Sequence, residues 1–136
     1  MANPRVFEVE EVNALIGKLT PLVKEFKEKK ERMQVRHDEL LVLDLMKTGE
    51  EFSYESSEGK EYLRRSAELE SLILSFEEDI IQINQIGGFL KHIEKGEVDF
   101  FHVRDKKLVY LCWRLGENEV CYWHDMEGEF EDRIPL

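Results

Sequence analysis

The chain has 136 residues, 42% of them hydrophobic and including 8 Phe, 4 Tyr and 2 Trp, which suits one core of ordinary domain size and is too little for two. Its 30 acidic and 19 basic residues give a formal charge of −11, a balance that repels phosphate and argues against nucleic acid and anionic lipid as partners. No stretch approaches the roughly twenty apolar residues of a membrane span, and the N-terminus lacks the apolar run of a signal peptide. With two cysteines there is no disulfide scaffold, so a cytoplasmic protein with free thiols is expected.

From Glu8 to Lys47 apolar residues recur at helical spacing, and Val12, Leu19, Phe26, Met33 and Leu40 stand at seven-residue intervals. That is a heptad seam. Leu15, Ile16, Leu22 and Val23 widen it, whereas Lys29, Lys30, Arg36 and His37 thin it, with His37 expected as a partly buried polar residue that fixes helix register. Pro21 removes a backbone donor inside the pattern, predicting a kink near Lys18 and Leu19 or a break into a short and a long helix. The polar run KTGEEFSYESSEG reads as a loop, with Ser56 or Ser57 as the cap of a second helix over Glu58 to Gln85. Tyr62, Leu69, Phe76 and Ile83 repeat the seven-residue spacing there, and Gly87 and Gly88 end the helix. Two such stripes predict a long antiparallel helical hairpin of coiled-coil type. A helix of about forty residues would be roughly 60 Å long, more than a small domain covers, so a homodimer through the helices is expected.

Beyond Gly88 the period changes. Val98 to Arg104, Leu108 to Leu115 and Val120 to His124 read as strands, turned at Asp105-Lys106-Lys107 and at Gly116-Glu117-Asn118. The fold class is therefore α+β, a single domain over 1–136 in which the hairpin (8–86) is followed by a small C-terminal antiparallel β-meander (88–136). The tail EGEFEDRIPL offers Phe130 and Ile134 as anchors without fixing a register.

Both cysteines, both tryptophans and a histidine fall between Leu108 and Leu136, so any site is expected there. A tight turn at Gly116-Glu117 sets Cys112 opposite Cys121, Arg114 opposite Glu119 and Val109 opposite His124. It puts Val109, Leu111, Trp113, Val120 and Tyr122 on the side that packs on the helices, and Tyr110, Cys112, Arg114, Cys121 and Trp123 on the other. A shift of one residue changes every pair.

Three readings follow. Recognition is preferred: Arg114, Glu117, Trp123, His124 and Arg133 supply fork donors, a carboxylate and flat apolar walls suited to an anionic small molecule or a peptide, in a noncatalytic module. Its bland counterpart is an arginine–glutamate ion pair beside core tryptophans. Metal is the second: Asp99, His102, Cys112, Cys121 and His124 are ligand types that zinc selects, but no CxxC, HExxH or HxH spacing supports them, and paired strand cysteines are commonly core. A thiol enzyme with Cys112 as nucleophile and His124 as base is the third, and the tight register sets that pair on opposite faces. No cofactor is expected, with zinc as the alternative; the rival to the binding module is a metal or thiol enzyme using Cys112, His124, Asp99 and Glu117.

The C-terminal pattern LCWRLGE, then YWHD, Gly-x-Phe and Arg-x-Pro-Leu, with GEVDFF before it and FEVEEVNALI at the start, resembles the bacterial domain of unknown function 2203 family. Cys112, Trp113, Arg114, Gly116, Glu117, Trp123, His124, Gly128, Phe130, Arg133 and Pro135 carry the likeness in order. Phe101 stands where that family commonly has proline, and Glu8 where it commonly has a helix-capping threonine. The resemblance implies a small cytoplasmic protein of the hairpin-plus-strands plan, and it brings no activity, substrate or cofactor with it.

Overall fold

The computed structural model describes residues 5–46 and 53–136. Two helices, α1 (Val9–Met46) and α2 (Ser57–Ile86), are followed by β1 (Phe89–Leu90), β2 (Glu97–Arg104), β3 (Lys107–Arg114), β4 (Tyr122–His124), a 3-10 turn (Phe130–Asp132) and β5 (Ile134–Pro135). The strands form one antiparallel sheet in the order β1-β2-β3-β4-β5. This is the expected α+β plan of a helical hairpin and a C-terminal meander. No helix among the described residues is long and apolar enough to cross a membrane.

Glu8 precedes α1, and its backbone N–H donates to Glu11 Oε1 at 3.0 Å, one half of a capping box. Arg5 takes the other oxygen at 3.0 Å. Together the two bonds hold the Glu11 carboxyl below the usual carboxylate range. The helix then runs unbroken through Pro21, which excludes the second of the two expected outcomes, a break into a short and a long helix. Thr20 Oγ1 donates to the Ile16 carbonyl at 2.8 Å, placing a side-chain bond next to the donor that proline removes. Of the loop expected after α1, residues 47–52 lie outside the described residues. Ser56 caps α2, its hydroxyl oxygen accepting the Gly59 N–H at 3.0 Å. At the other end Gly87 adopts φ +108°, and a Cβ there would come within 2.5 Å of the Phe7 ring, so only glycine closes this helix.

The described chain divides into two compact units, Met1–Lys27 with Asp79–Leu136, and Glu28–Glu78. In the first, Val12, Ile16, Leu19 and Val23 of α1 join Ile83 of α2 and Val98, Phe100, Leu111 and Trp113 of the sheet in one core. Phe7 anchors the N-terminal segment to it. Its amide donates to the Phe101 carbonyl at 2.7 Å, its carbonyl lies 2.6 Å from His102 Nδ1, and its ring meets Phe100 edge-on at 5.1 Å. In the second unit the heptad residues Met33, Leu40, Tyr62, Leu69 and Phe76 are only half-buried, while Arg65 pairs with Glu61 and with Glu39 of α1. His37 is exposed there beside Asp38, not partly buried as its place beside the seam suggested.

The sheet register departs from the tight-turn expectation by one residue. β3 and β4 pair Cys112 with Tyr122, Leu111 with Trp123 and Tyr110 with His124, where the sequence reading had Cys112 against Cys121. The cause is a long-range contact. Asn13 Oδ1 on α1 accepts the Val120 N–H at 2.7 Å, so Val120 sinks into the core and its amide is lost to the β3 ladder. The strand starts at Tyr122 instead. Every β4 side chain thereby changes face: Trp123 joins the helix side, while Tyr122 and His124 turn to the other. The β2–β3 turn keeps its expected place, with Asp105 at φ 51° and Lys106 at φ 65°, the two positive values of a primed hairpin turn.

Candidate functional site

Strand alternation sends Val98 and Phe100 into the core and leaves Glu97 and Asp99 on the outer face of β2. In register with them are Cys112 on β3 and, one strand on, Tyr122 and His124 on β4. This outer face is not wet. Glu97, Asp99, Cys112 and His124 are each between 1% and 2% exposed, covered by the chain from Glu127 to Phe130. They line a cavity of about 320 Å³ together with Lys91, His92, Glu127, Gly128, Glu129 and Phe130.

Within it, one ligand-type atom each from Asp99, Cys112 and His124 lies within 4.8 Å of the other two. His124 Nε2 is 3.0 Å from Asp99 Oδ2, and its Nδ1 is 2.8 Å from the Asp125 carbonyl oxygen. A carbonyl only accepts, so Nδ1 carries the hydrogen and a neutral imidazole aims its Nε2 lone pair at the carboxylate. Two lone pairs at that distance repel unless a proton or a cation lies between them. Asp99 Oδ1 and Glu97 Oε1 find no hydrogen-bond partner among the described residues, and His92 Nε2 stands 3.9 Å from Glu97 Oε2. Buried carboxylate oxygens left in this state are costly.

The electrostatics follow from burial. Desolvation pushes the Asp99 carboxyl up, opposed by His124, and does the same to Glu97, opposed by His92 and Lys95. The Cys112 thiol is driven far above the usual thiol range by burial, by the Asp99 charge and by its hydrogen bond to the Asp99 carboxylate. Without a cation it stays a thiol, which leaves little nucleophile for a thiol enzyme.

Of the five metal-type residues read from the sequence, the fold therefore brings Asp99, Cys112 and His124 together. Cys112 and His124 share a face, which corrects their expected placement on opposite faces and has its cause in the one-residue register change. His102 is on the core side, held by the Phe7 carbonyl. Cys121 is exposed, its thiol 3.6 Å from the Glu119 carbonyl.

The recognition set separates. Trp123 packs on the core side with Arg104 stacked 5.1 Å over its ring. Arg133 Nη1 bonds both Glu117 oxygens, at 3.1 and 3.0 Å, and Glu117 Oε1 also accepts the Arg114 N–H at 2.7 Å. The Arg133 guanidinium lies 3.7 Å from the Phe130 ring centre and 4.2 Å from that of Tyr122, and Arg114 lies 5.0 Å from Phe130. Arg133 and Glu117 satisfy each other, and the two guanidinium groups flank Phe130, a wall of the cavity. His124 is the member of the set that faces the cavity itself. Glu97 and Lys91 escaped the sequence reading. Two acidic residues at alternate positions of the apolar strand EVDFF were the available signal for Glu97, since they must share one face.

Fold and site define an α+β protein of two long helices and a five-stranded meander, with a polar, partly open cavity on the sheet face turned away from the core. The chain belongs to the family described as "Uncharacterized conserved protein (DUF2203)", whose model matches residues 5–136. Comparison with curated proteins and comparison with solved structures each give no match.

Proposed function

We propose that this protein binds a divalent transition-metal ion, zinc being the best fit, through Asp99 Oδ, Cys112 Sγ and His124 Nε2. The observation that carries the reading is the His124 geometry: Nδ1–H is tied to a backbone carbonyl and Nε2 is aimed at Asp99 Oδ2, with Cys112 in the same cluster, the arrangement by which proteins orient metal-binding imidazoles. Ligands about 2.1 Å from a tetrahedral ion stand roughly 3.4 Å apart, a separation that a cluster confined within 4.8 Å reaches with small side-chain shifts. Carboxylate, thiolate and imidazole are the mixed donor set of zinc, and the first two neutralise a dication. A bound ion also reverses the local titration: it replaces the shared proton of the Asp99–His124 pair and draws the Cys112 thiol to thiolate.

This reading displaces the recognition module as the preferred one, because Arg133 is committed to Glu117, the Arg114 guanidinium lies over the Phe130 ring and Trp123 packs on the core side. Metal analysis of protein purified without an affinity tag tests it. Near-stoichiometric zinc, iron or cobalt is expected, falling to background in Cys112→Ser and His124→Ala while the far-ultraviolet circular dichroism is kept. Native protein without metal that also fails to take up cobalt(II) would sink the proposal. Dimerisation through the helices is a separate proposal, supported by the exposed Val35, Leu41, Val42 and Leu45 of α1; a monomer mass in light scattering at micromolar concentration defeats it.

A further inference from the structure

We infer that the metal centre keeps one coordination position open to the cavity, held by a water molecule that donates to Glu97 Oε1, and that this water exchanges with small anionic or neutral donor molecules. The inference rests on the metal reading above. Three protein ligands from three neighbouring strands border one cavity; of the other ligand-type residues His102 and Cys121 are turned elsewhere, while His92, Glu97, Glu127 and Glu129 line the cavity without joining the three-residue cluster. Structural zinc sites close with four protein ligands; sites with three leave a position for solvent or substrate.

Glu97 is the second and independent observation. Its side chain is 1% exposed, lines the same cavity, and leaves Oε1 without a hydrogen-bond partner among the described residues. An orphan carboxylate oxygen in a cavity calls for a donor that is not a protein group. A metal-bound water supplies one, since coordination polarises its O–H bonds toward an acceptor. A cavity of about 320 Å³ exceeds the roughly 30 Å³ share of one water, so a small molecule fits beside the ion.

Cobalt(II)-loaded protein titrated with sodium azide tests this. The visible ligand-field bands are expected to shift and saturate as azide replaces water. In Glu97→Gln, cobalt stoichiometry should be unchanged and azide should bind several-fold more tightly, because the variant removes a negative neighbour of the entering anion and the acceptor that holds the water. Glu97→Leu serves the same purpose if the glutamine variant folds poorly. Cobalt bands that are present but indifferent to azide overturn the open position, and equal azide affinity in wild type and both variants overturns the role of Glu97. If cobalt bands never form, the metal reading itself has failed, and that result is distinct from the other two.

Discussion

The two faces of this sheet are made by the same strands, residue by alternate residue, and both are buried, yet they are buried in different senses. On the helix side Val98, Phe100, Leu111 and Trp113 are 0% exposed among apolar neighbours, and the polar atom left without a described partner there is the neutral Trp123 Nε1–H. On the outer side Glu97, Asp99, Cys112 and His124 are just as inaccessible, yet two carboxylate oxygens there have no described partner and His124 Nε2 stands 3.0 Å from Asp99 Oδ2. Apolar burial stabilises a fold by itself. Polar burial without partners costs free energy, so its presence next to a cavity identifies the face that something else must complete.

The comparison breaks first at Trp113. Its ring is fully buried and its Nε1–H donates to the Glu117 carbonyl at 2.8 Å, so Trp113→Ala removes core volume and leaves that carbonyl in want of a donor. Urea denaturation should show a loss of about 3–5 kcal/mol. A loss below about 1 kcal/mol would mean that the helix-side face is not the stabilising one.

Asp99→Asn tests the outer face from the opposite direction. The Asp99 carboxyl is raised by burial above its ordinary value of 3.8, so the folded metal-free protein binds this proton more tightly than the unfolded chain. The contribution of this residue is therefore present at acid pH and is lost as pH rises from the ordinary carboxylate range through the raised folded value. At neutral pH, metal-free Asp99→Asn should be more stable than wild type by on the order of 1 kcal/mol, and the difference should shrink on acidification. With zinc added the order should invert, since only the wild type gains the ion. Thermal melts at several pH values, with chelator and with zinc, check both signs; an Asp99→Asn protein less stable than wild type in chelator at neutral pH contradicts the picture.

Much of this architecture is legible in the sequence because it depends on local spacing. The seven-residue series from Val12 to Phe26 marks the buried stripe of α1 correctly, the Ser56 cap and Gly87 stop bound α2, and the alternation in β2 and β3 sorts core from outer residues. The site was less legible because it depends on register, and register was decided by Asn13, a polar residue 107 positions from the amide it captures. No pattern within the last hairpin contains that contact. Read with a tight turn, Cys112 and His124 separate and Trp123 joins the polar face; with Val120 drawn into the core, the same residues reassemble as a cluster with Asp99. The seam past Phe26 shows the converse, since Met33 and Leu40 keep the heptad spacing while remaining half-buried.

The smallest effect is expected at Cys121, and it sharpens the contrast between the faces by separating the two possible registers. With Cys112 opposite Tyr122, the Cys121 side chain is exposed, so Cys121→Ser should change stability by no more than about 0.5 kcal/mol and leave metal content untouched. The thiols should also react in order: Cys121 alkylates freely in native protein, while Cys112, buried and held as a thiol, reacts after unfolding. Had the hairpin closed one residue earlier, the two cysteines would stand opposite each other on one face, within the span a disulfide bridges, and mild oxidation would join them. Peptide mapping after oxidation of metal-free protein reads the difference directly. An intramolecular Cys112–Cys121 disulfide in high yield would restore the tight register, return His124 to the core side and remove the geometric basis for a metal centre.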